Sequence, residues 1–340
     1  MSNRKYQHNM KKILTAFICI VSFVTINSCS KRNSIVPPDT GGGNGNFDGT
    51  VVSDVVYGSN IDWMGQTQQL ALDVYIPKSQ SGVVQKYPLM MYVHGGGFHD
   101  GDKLNTVNYC TMMASLGYTV ATINYRLGWS QDSIDRCNAD TIQAAEAFYR
   151  AEQDARAAMR YLVAHASDYS IDTSWIFVGG ASAGGLTTLG IAFYDQQTMD
   201  TYLPGLSTKL GPLDATNNIK IHYNIKAIAP EWGAVSTTDA ITPQNAIPAI
   251  LFHGGQDDVV PWNIGHYYAC DNLNIGYGSK AVYDKLTALG VPAVAHIDPL
   301  GGHGVYTNSF RIPNIDCFFR SVMDGSAQKG YYTTQVSNCR

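Results

Sequence analysis

A chain of 340 residues with 45% hydrophobic side chains has material for a large buried core, which excludes a disordered or collagen-like chain. Charged residues make up 15%, below the roughly 25% of an ordinary soluble domain, so the surface must lean on Ser, Thr, Asn, Gln and Tyr. The formal net charge is −4, and a chain without a basic surplus is a poor partner for nucleic acid.

At the N-terminus, Lys11 and Lys12 precede an apolar run from Ile13 to Ile26. Its 14 residues are too few to cross a bilayer comfortably and fit the apolar region of a secretory signal. The run ends in Ile26-Asn27-Ser28-Cys29-Ser30, which resembles a bacterial lipobox, an aliphatic and a small residue before a lipidated Cys. The resemblance implies a signal peptide over 1–28, lipid on Cys29, and anchoring to the cell envelope, with the outer membrane as the expected site. The alternatives are a plain signal peptide or a buried helix with an incidental Cys. Met10 begins a more compact signal than Met1. Without residues 1–28 the chain carries 19 basic and 27 acidic residues, a net of −8. Residues 29–50, with Pro37-Pro38 and Gly41-Gly42-Gly43-Asn44-Gly45-Asn46, read as a flexible tether. The Gly run has no strand before it and no Lys-Ser/Thr after it, so a phosphate loop is not expected. Residues 51–340 read as one domain.

Within that domain Val51–Ser59 and Gln68–Ile76 alternate apolar and polar residues and predict an antiparallel hairpin, with Leu70, Leu72, Val74 and Ile76 on one face. Tyr87–Val93 and Tyr118–Tyr125 predict buried strands, and Asn108–Leu116 a helix. Thr141–Ala166 predicts a long helix whose apolar face carries Phe148, Ala151, Ala155, Ala158, Met159 and Leu162, with Glu152 and Arg156 on its wet side. Further strands are expected at Ser174–Val178, Ile225–Ala229, Ala249–His253 and Ala293–Asp298, and helices at Ser279–Leu289 and Asp316–Met323. Strands alternating with helices imply an α/β fold, a mostly parallel sheet with helices on both faces.

Cysteine usage suits an oxidising compartment. Once Cys19 leaves with the signal and Cys29 takes lipid, five remain, so at most two disulfides form. Cys317–Cys339 is the leading expectation, because it would pin the C-terminal tail; Cys110–Cys137 is the second. No Cys or His spacing suggests a zinc site, so no metal is expected.

Three local patterns carry chemistry. Gly180-Ala181-Ser182-Ala183-Gly184 lies between a strand and a helix. A serine there sits on a strained turn that lifts its hydroxyl toward a substrate, and glycine two residues either side avoids collisions. His94-Gly95-Gly96-Gly97-Phe98 ends an upstream strand, where Gly N–H groups can approach an oxyanion closely. Losing one such donor typically costs about 2.7–4 kcal/mol of barrier. Gly96, Gly97 and the N–H of Ala183 are the expected donors. His303, in Gly301-Gly302-His303-Gly304, is the expected base. Asp257, in His253-Gly254-Gly255-Gln256-Asp257-Asp258, is the expected acid that orients it, with Asp258 as competitor. Ser182, Asp257 and His303 are 75 and 46 residues apart, in the order nucleophile, acid, histidine.

These pieces resemble the carboxylesterase and lipase group of α/β-hydrolases over roughly residues 51–325, joined by Leu72-Asp73-Val74-Tyr75, Asn124-Tyr125-Arg126-Leu127 and Asp154-Ala155-Arg156-Ala157-Ala158. The resemblance implies a serine ester hydrolase working through an acyl-enzyme without any cofactor, and it supports Asp257 as the acid. It implies a structural role for Asp154 and Arg156. Ala181 departs from the family, where Glu or Asp often precedes the Ser. Insertions at 127–140 and 192–224 are expected to roof the site. Phe98 and Trp232 are expected to touch substrate, and Trp262, Tyr267 and Tyr268 to form an aromatic rim. The expected substrates are small or carbohydrate-linked esters. The rival readings are a serine peptidase of the prolyl-oligopeptidase type and a non-catalytic binding module on the same fold.

Overall fold

The computed structural model describes residues 47–79, 85–130 and 135–339. The expected signal segment, Cys29 and most of the tether lie outside them.

The strands are β1 (Gly49–Ile61), β2 (Thr67–Pro77), β3 (Tyr87–Val93), β4 (Thr119–Ile123), β5 (Ile171–Ala181), β6 (Ile225–Glu231), β7 (Ala234–Val235), β8 (Ala249–Gly254), β9 (Ile264–His266), β10 (Ile275–Gly278), β11 (Ala293–Asp298) and β12 (Gly330–Tyr332). The helices are α1 (Val107–Ser115), α2 (Thr141–Ala164), α3 (Ala183–Phe193), α4 (Gln196–Tyr202), α5 (Leu206–Leu210), α6 (Ser279–Ala288) and α7 (Asn308–Met323). Nine strands form one sheet in the order β1-β2-β4-β3-β5-β6-β8-β11-β12. The β1–β2 hairpin is antiparallel, and so is the β2–β4 pair; from β4 through β12 the pairing is parallel.

The period-2 rule for strands divides the core. Alternate residues of β3 and β5 point to opposite faces. Leu89, Met91, Val93 and Val178 meet α2, α3 and α6 through residues such as Ala155, Leu189 and Leu286. Met90, Tyr92 and Phe177 meet α1 and α7 through Tyr109, Met113, Ile315 and Phe319. The hairpin forms as expected and Leu70, Leu72 and Val74 are buried, but Asp73 and Tyr75 on the opposite face of β2 are buried as well and Ile76 is only partly buried, so burial does not alternate along the strand.

Three expectations change. Glu152 and Arg156 are not on a wet face: the Glu152 side chain is fully buried and that of Arg156 is 15% exposed. The segment after the nucleophile helix covers them, and Arg156 donates to the carbonyls of Gly190 and Tyr194. The second disulfide joins Cys137 to Cys270, while Cys317–Cys339 forms as expected. Cys110 is a buried free thiol on the sheet-facing side of α1, so it cannot reach the Cys137 loop. Finally, α7 starts eight residues before the expected Asp316 and runs through Pro313, which the sequence pattern reads as a boundary.

One buried ion pair ties the hairpin, the loop after β4 and α2 together. Arg126 Nη2 donates to Asp154 Oδ1 at 2.8 Å and Nε to Oδ2 at 2.9 Å, while Nη1 donates to the carbonyl of Ile61 at 2.9 Å. Asp154 also accepts from the Arg126 backbone N–H and the Thr216 hydroxyl. Asp154→Ala strands a buried guanidinium, so chemical denaturation should show a loss of about 3–5 kcal/mol.

Burial pushes the Glu152 carboxyl up to about 8, against the opposing pull of Arg156. The folded state thus prefers the protonated form. The stability it contributes is full below the ordinary value near 4.5 and is lost as pH rises toward 8. Thermal melting should therefore show Glu152→Gln matching the wild type near pH 4 and gaining on it progressively up to pH 8.

Candidate active site

β5 delivers the nucleophile turn to the centre of the sheet. Ser182 sits at φ 56°, ψ −119°, and its N–H donates to the carbonyl of Glu231 at the end of β6, at 2.9 Å. Glycine is required around it. A Cβ on Gly184 would lie 2.0 Å from the Val93 carbonyl oxygen, and one on Gly180 would lie 2.5 Å from that of Gly184. α3 begins directly at Ala183, so the N-terminal end of its dipole faces the serine.

The loop after β3 lies against this turn. Gly96, Gly97 and Phe98 have φ of 115°, 61° and 60°. The Gly96 carbonyl accepts from the N–H groups of His99 and Asp100, which tightens the loop. Three side chains lock it. His94 donates from Nδ1 to the carbonyl of Gly95 at 2.7 Å and stacks on Tyr125, and the Tyr125 hydroxyl donates to the carbonyl of His94. Trp129 Nε1 donates to the carbonyl of Gly97 at 2.8 Å. Burial lowers the His94 pKa, outweighing the opposing effects of the Gly95 carbonyl and Asp102, so the ring is neutral at physiological pH.

The structure brings Ser182, His303 and Asp257 into one row. His303 Nε2 is 2.9 Å from Ser182 Oγ, and Nδ1 is 2.8 Å from Asp257 Oδ2. Asp258 is exposed, so the competing assignment fails on position. Asp257 is fully buried, and its Oδ1 accepts from the N–H groups of Val259 and Val260. Burial alone would raise its pKa, but hydrogen bonds from His253 and His303 outweigh that and hold it well below the ordinary carboxylate range. Asp257 therefore stays ionised and can stabilise an imidazolium at His303.

Two partners escaped the sequence reading. His253 Nε2 lies 3.1 Å from both Asp257 Oδ2 and the Val260 carbonyl oxygen. Both are acceptors, so Nε2 carries the proton and Nδ1 accepts from the Ser279 hydroxyl at 2.8 Å. Glu231, whose carbonyl holds the nucleophile turn, pairs its buried carboxylate with Arg311 and accepts from Tyr92 at 2.8 Å. Glu231 had a visible signal, a charged residue closing an apolar strand. Arg311, 80 residues away, had none.

Ser182 opens on a cavity of about 160 Å³. Phe98, Trp129, Phe148, Leu186, Tyr194, Tyr267 and Tyr268 are among its walls, and among the described residues no charged side chain lines it. Both expected insertions contribute, through Trp129 and Ala139 from the first and Tyr194 and Leu203 from the second, although residues 131–134 lie outside those described. Phe98 lines the cavity as expected. Trp232 does not: it is buried behind the row, edge-on to His303 at 6.3 Å with the Arg311 guanidinium 4.8 Å above its ring. Trp262 is absent from the wall as well, whereas Tyr267 and Tyr268 are in it.

Among solved structures the fold is similar to Esterase B from Lactobacillus rhamnosis (18% identity, 82% of this chain and 87% of that chain, TM-score 0.51). It is also similar to a truncated carbohydrate esterase from gut microbiota (17% identity, 81% and 96%, TM-score 0.54) and to esterase 2 of Thermogutta terrifontis (16% identity, 82% and 95%, TM-score 0.52). At these identities the likeness establishes the α/β-hydrolase fold. No curated protein matches the chain. The BD-FAE family model matches residues 72–242, half of the chain, within which lie the Gly loop, the serine turn and the insertion behind it, and the chain belongs to the BD-FAE family.

Proposed function

We propose that the protein is a serine carboxylic-ester hydrolase acting on small or carbohydrate-linked esters. The observation that carries this is the hydrogen-bonded row of Ser182, His303 and Asp257, whose serine opens on a cavity lined by Gly97 and Ala183 and, among the described residues, by no charged side chain; the N–H groups of Gly96, Gly97 and Ala183 are the proposed oxyanion donors. A neighbour described as a carbohydrate esterase supports the substrate class.

In the first step His303 Nε2 takes the Ser182 proton as Oγ bonds to the ester carbonyl carbon. The C=O pair moves onto oxygen, and the three backbone N–H groups hold the charge. His303 then returns its proton to the alkoxide leaving group as the C–O bond breaks, giving alcohol and acyl-Ser182. Water, deprotonated by His303, attacks the acyl carbon, and Ser182 leaves with that proton. Asp257 stays ionised throughout and stabilises the imidazolium. Among the described residues a bound charge has no partner in the cavity, which supports neutral esters over charged ones. The acyl half stays bonded to Ser182 through the second step while the alcohol departs, so the walled cavity suits the acyl group.

The lipid anchor at Cys29 and an envelope location belong to the same proposal. Two disulfides in one domain support an oxidising compartment.

The test is hydrolysis of p-nitrophenyl esters from acetate to long chains by the purified protein. Short esters should turn over. Ser182→Ala and His303→Ala should each lower kcat by roughly 10⁶-fold, and Asp257→Asn by roughly 10⁴-fold. Peptide turnover in place of ester turnover would select the peptidase reading. A folded protein with neither activity nor labelling by an organophosphate would select the binding module.

A further inference from the structure

The cavity has two walls built far from the sheet. One comes from the segment before α2 and its first turn, with Trp129, Ala139 and Thr141. The other is the stretch joining β9 to β10, with Tyr267, Tyr268, Leu273 and Ile275. The base of the second wall is fastened by its backbone: Tyr268 N–H donates to the Val259 carbonyl, and Gly278 N–H to that of Asn263. Its tip is thinly packed. Between Tyr267 and Asn274 only Cys270 and Leu273 are buried. Tyr268 and Ala269 are held at φ 56° and 54°, a backbone state that side chains resist unless something outside imposes it.

Backbone hydrogen bonds from Tyr267 N–H to the Asn274 carbonyl and from Cys270 N–H to the Tyr267 carbonyl close the tip on itself, and the Cys137–Cys270 bridge ties it to the other wall across 133 residues of sequence. Around it the Arg136 guanidinium lies 5.3 Å over the Tyr268 ring, and Asn272 Nδ2 donates to the Cys137 carbonyl. Neither cysteine lines the cavity.

We propose that the Cys137–Cys270 bridge determines acyl specificity. By clamping Tyr268 and its neighbours against the Ala139 wall, it creates the part of the cavity that receives an apolar acyl chain beyond its first two carbons. This rests on the ester-hydrolase reading. An acetyl group ends beside Ser182 and Gly97, on loops that follow β5 and β3 and meet the first wall only through the Trp129 hydrogen bond to the Gly97 carbonyl, away from Cys137 and Cys270. A six-carbon acyl chain must lie along the clamped wall, and each methylene buried there changes transition-state binding about fourfold.

The experiment compares p-nitrophenyl acetate and hexanoate on the wild type, on Cys137→Ser/Cys270→Ser, and on Cys317→Ser/Cys339→Ser as the control bridge. The expected result is a fall of about tenfold in the hexanoate-to-acetate ratio of kcat/KM for the first variant alone, carried by a higher KM for hexanoate. Acetate turnover should stay within twofold of wild type. Equal losses on both esters overturn the proposal, because the bridge would then serve the whole domain. An unchanged ratio also overturns it, because the walls would hold without the bridge. Should the first variant fail to fold, the folded wild type is reduced with a water-soluble phosphine and alkylated, and the control variant is treated likewise. The same drop in ratio is expected in both, and its absence overturns the proposal. A wild type that hydrolyses no ester removes the hydrolase reading beneath it, whereas an active wild type with an unchanged ratio removes the clamp alone.

Discussion

The hydrogen bond from the Ser182 N–H to the Glu231 carbonyl, made from a backbone at φ 56°, is the constraint on which the site depends. A non-glycine residue in that region costs on the order of 1–3 kcal/mol and persists only when its surroundings over-determine it. Here they do. Gly180 and Gly184 let two strand ends close around the turn, α3 starts on the next residue, and β6 supplies the acceptor. Glu231 is itself immobilised through Arg311 and Tyr92. The serine hydroxyl is thereby aimed by main-chain geometry before any substrate arrives.

Several further strained residues lie around the site, although Asp54 in β1 and Ser170 before β5 do not. Of the non-glycine residues at positive φ, Phe98 borders the oxyanion loop, Trp232 backs His303, and Tyr268 and Ala269 belong to the outer wall. With Ser182, Phe98 and Trp232 belong to the loops that follow β5, β3 and β6, where parallel strands end together and side chains from distant segments converge. The strands provide rigidity, and the loops beyond their ends provide the unusual conformations. Polar capacity is divided in a similar way. Asp257 has four hydrogen-bond donors around it, while among the described residues no charged side chain lines the cavity beyond Ser182. Buried charge sits in Asp257 and in ion pairs such as Glu231–Arg311 behind the turn, and among the described residues none of it lines the cavity.

What could be read beforehand follows from this division. β3 and β11 match the expected bounds residue for residue; β3 is buried on both faces and reads as a nearly continuous apolar run, while β11 shows the same pattern interrupted by His296. Ser182, Asp257 and His303 stood out in the sequence through their glycine neighbours, and at Gly180, Gly184, Gly254 and Gly301 the structure leaves no room for a Cβ, although Gly302 has open space. Glu152 was misread: its spacing from Arg156 has the same helical period whether solvent or another segment covers that face. The β9–β10 wall was missed as structure because its strands have three and four residues, too few to show a period. The pairing of Cys137 with Cys270 depends on two loops meeting above the sheet, which no local pattern encodes.

The two bridges sit where the sheet and helices give least support, and their loop lengths separate their roles. In the chain-entropy account, closing 22 residues is worth about 3 kcal/mol and closing 133 about 5. The short bridge secures a tail already held by Asn338, which bonds to Asn314, Gln328 and His296, and by β12 beside β11. It adds to contacts that exist without it. The long bridge crosses between two segments that also meet through Arg136 over Tyr268 and Asn272 at the Cys137 carbonyl, and there the covalent bond joins polar and ring contacts at the surface. An apolar cavity needs apolar walls, and walls facing a cavity cannot also pack on each other. A covalent tie outside the cavity resolves that conflict, because it holds the walls apart from the substrate's space while leaving that space empty.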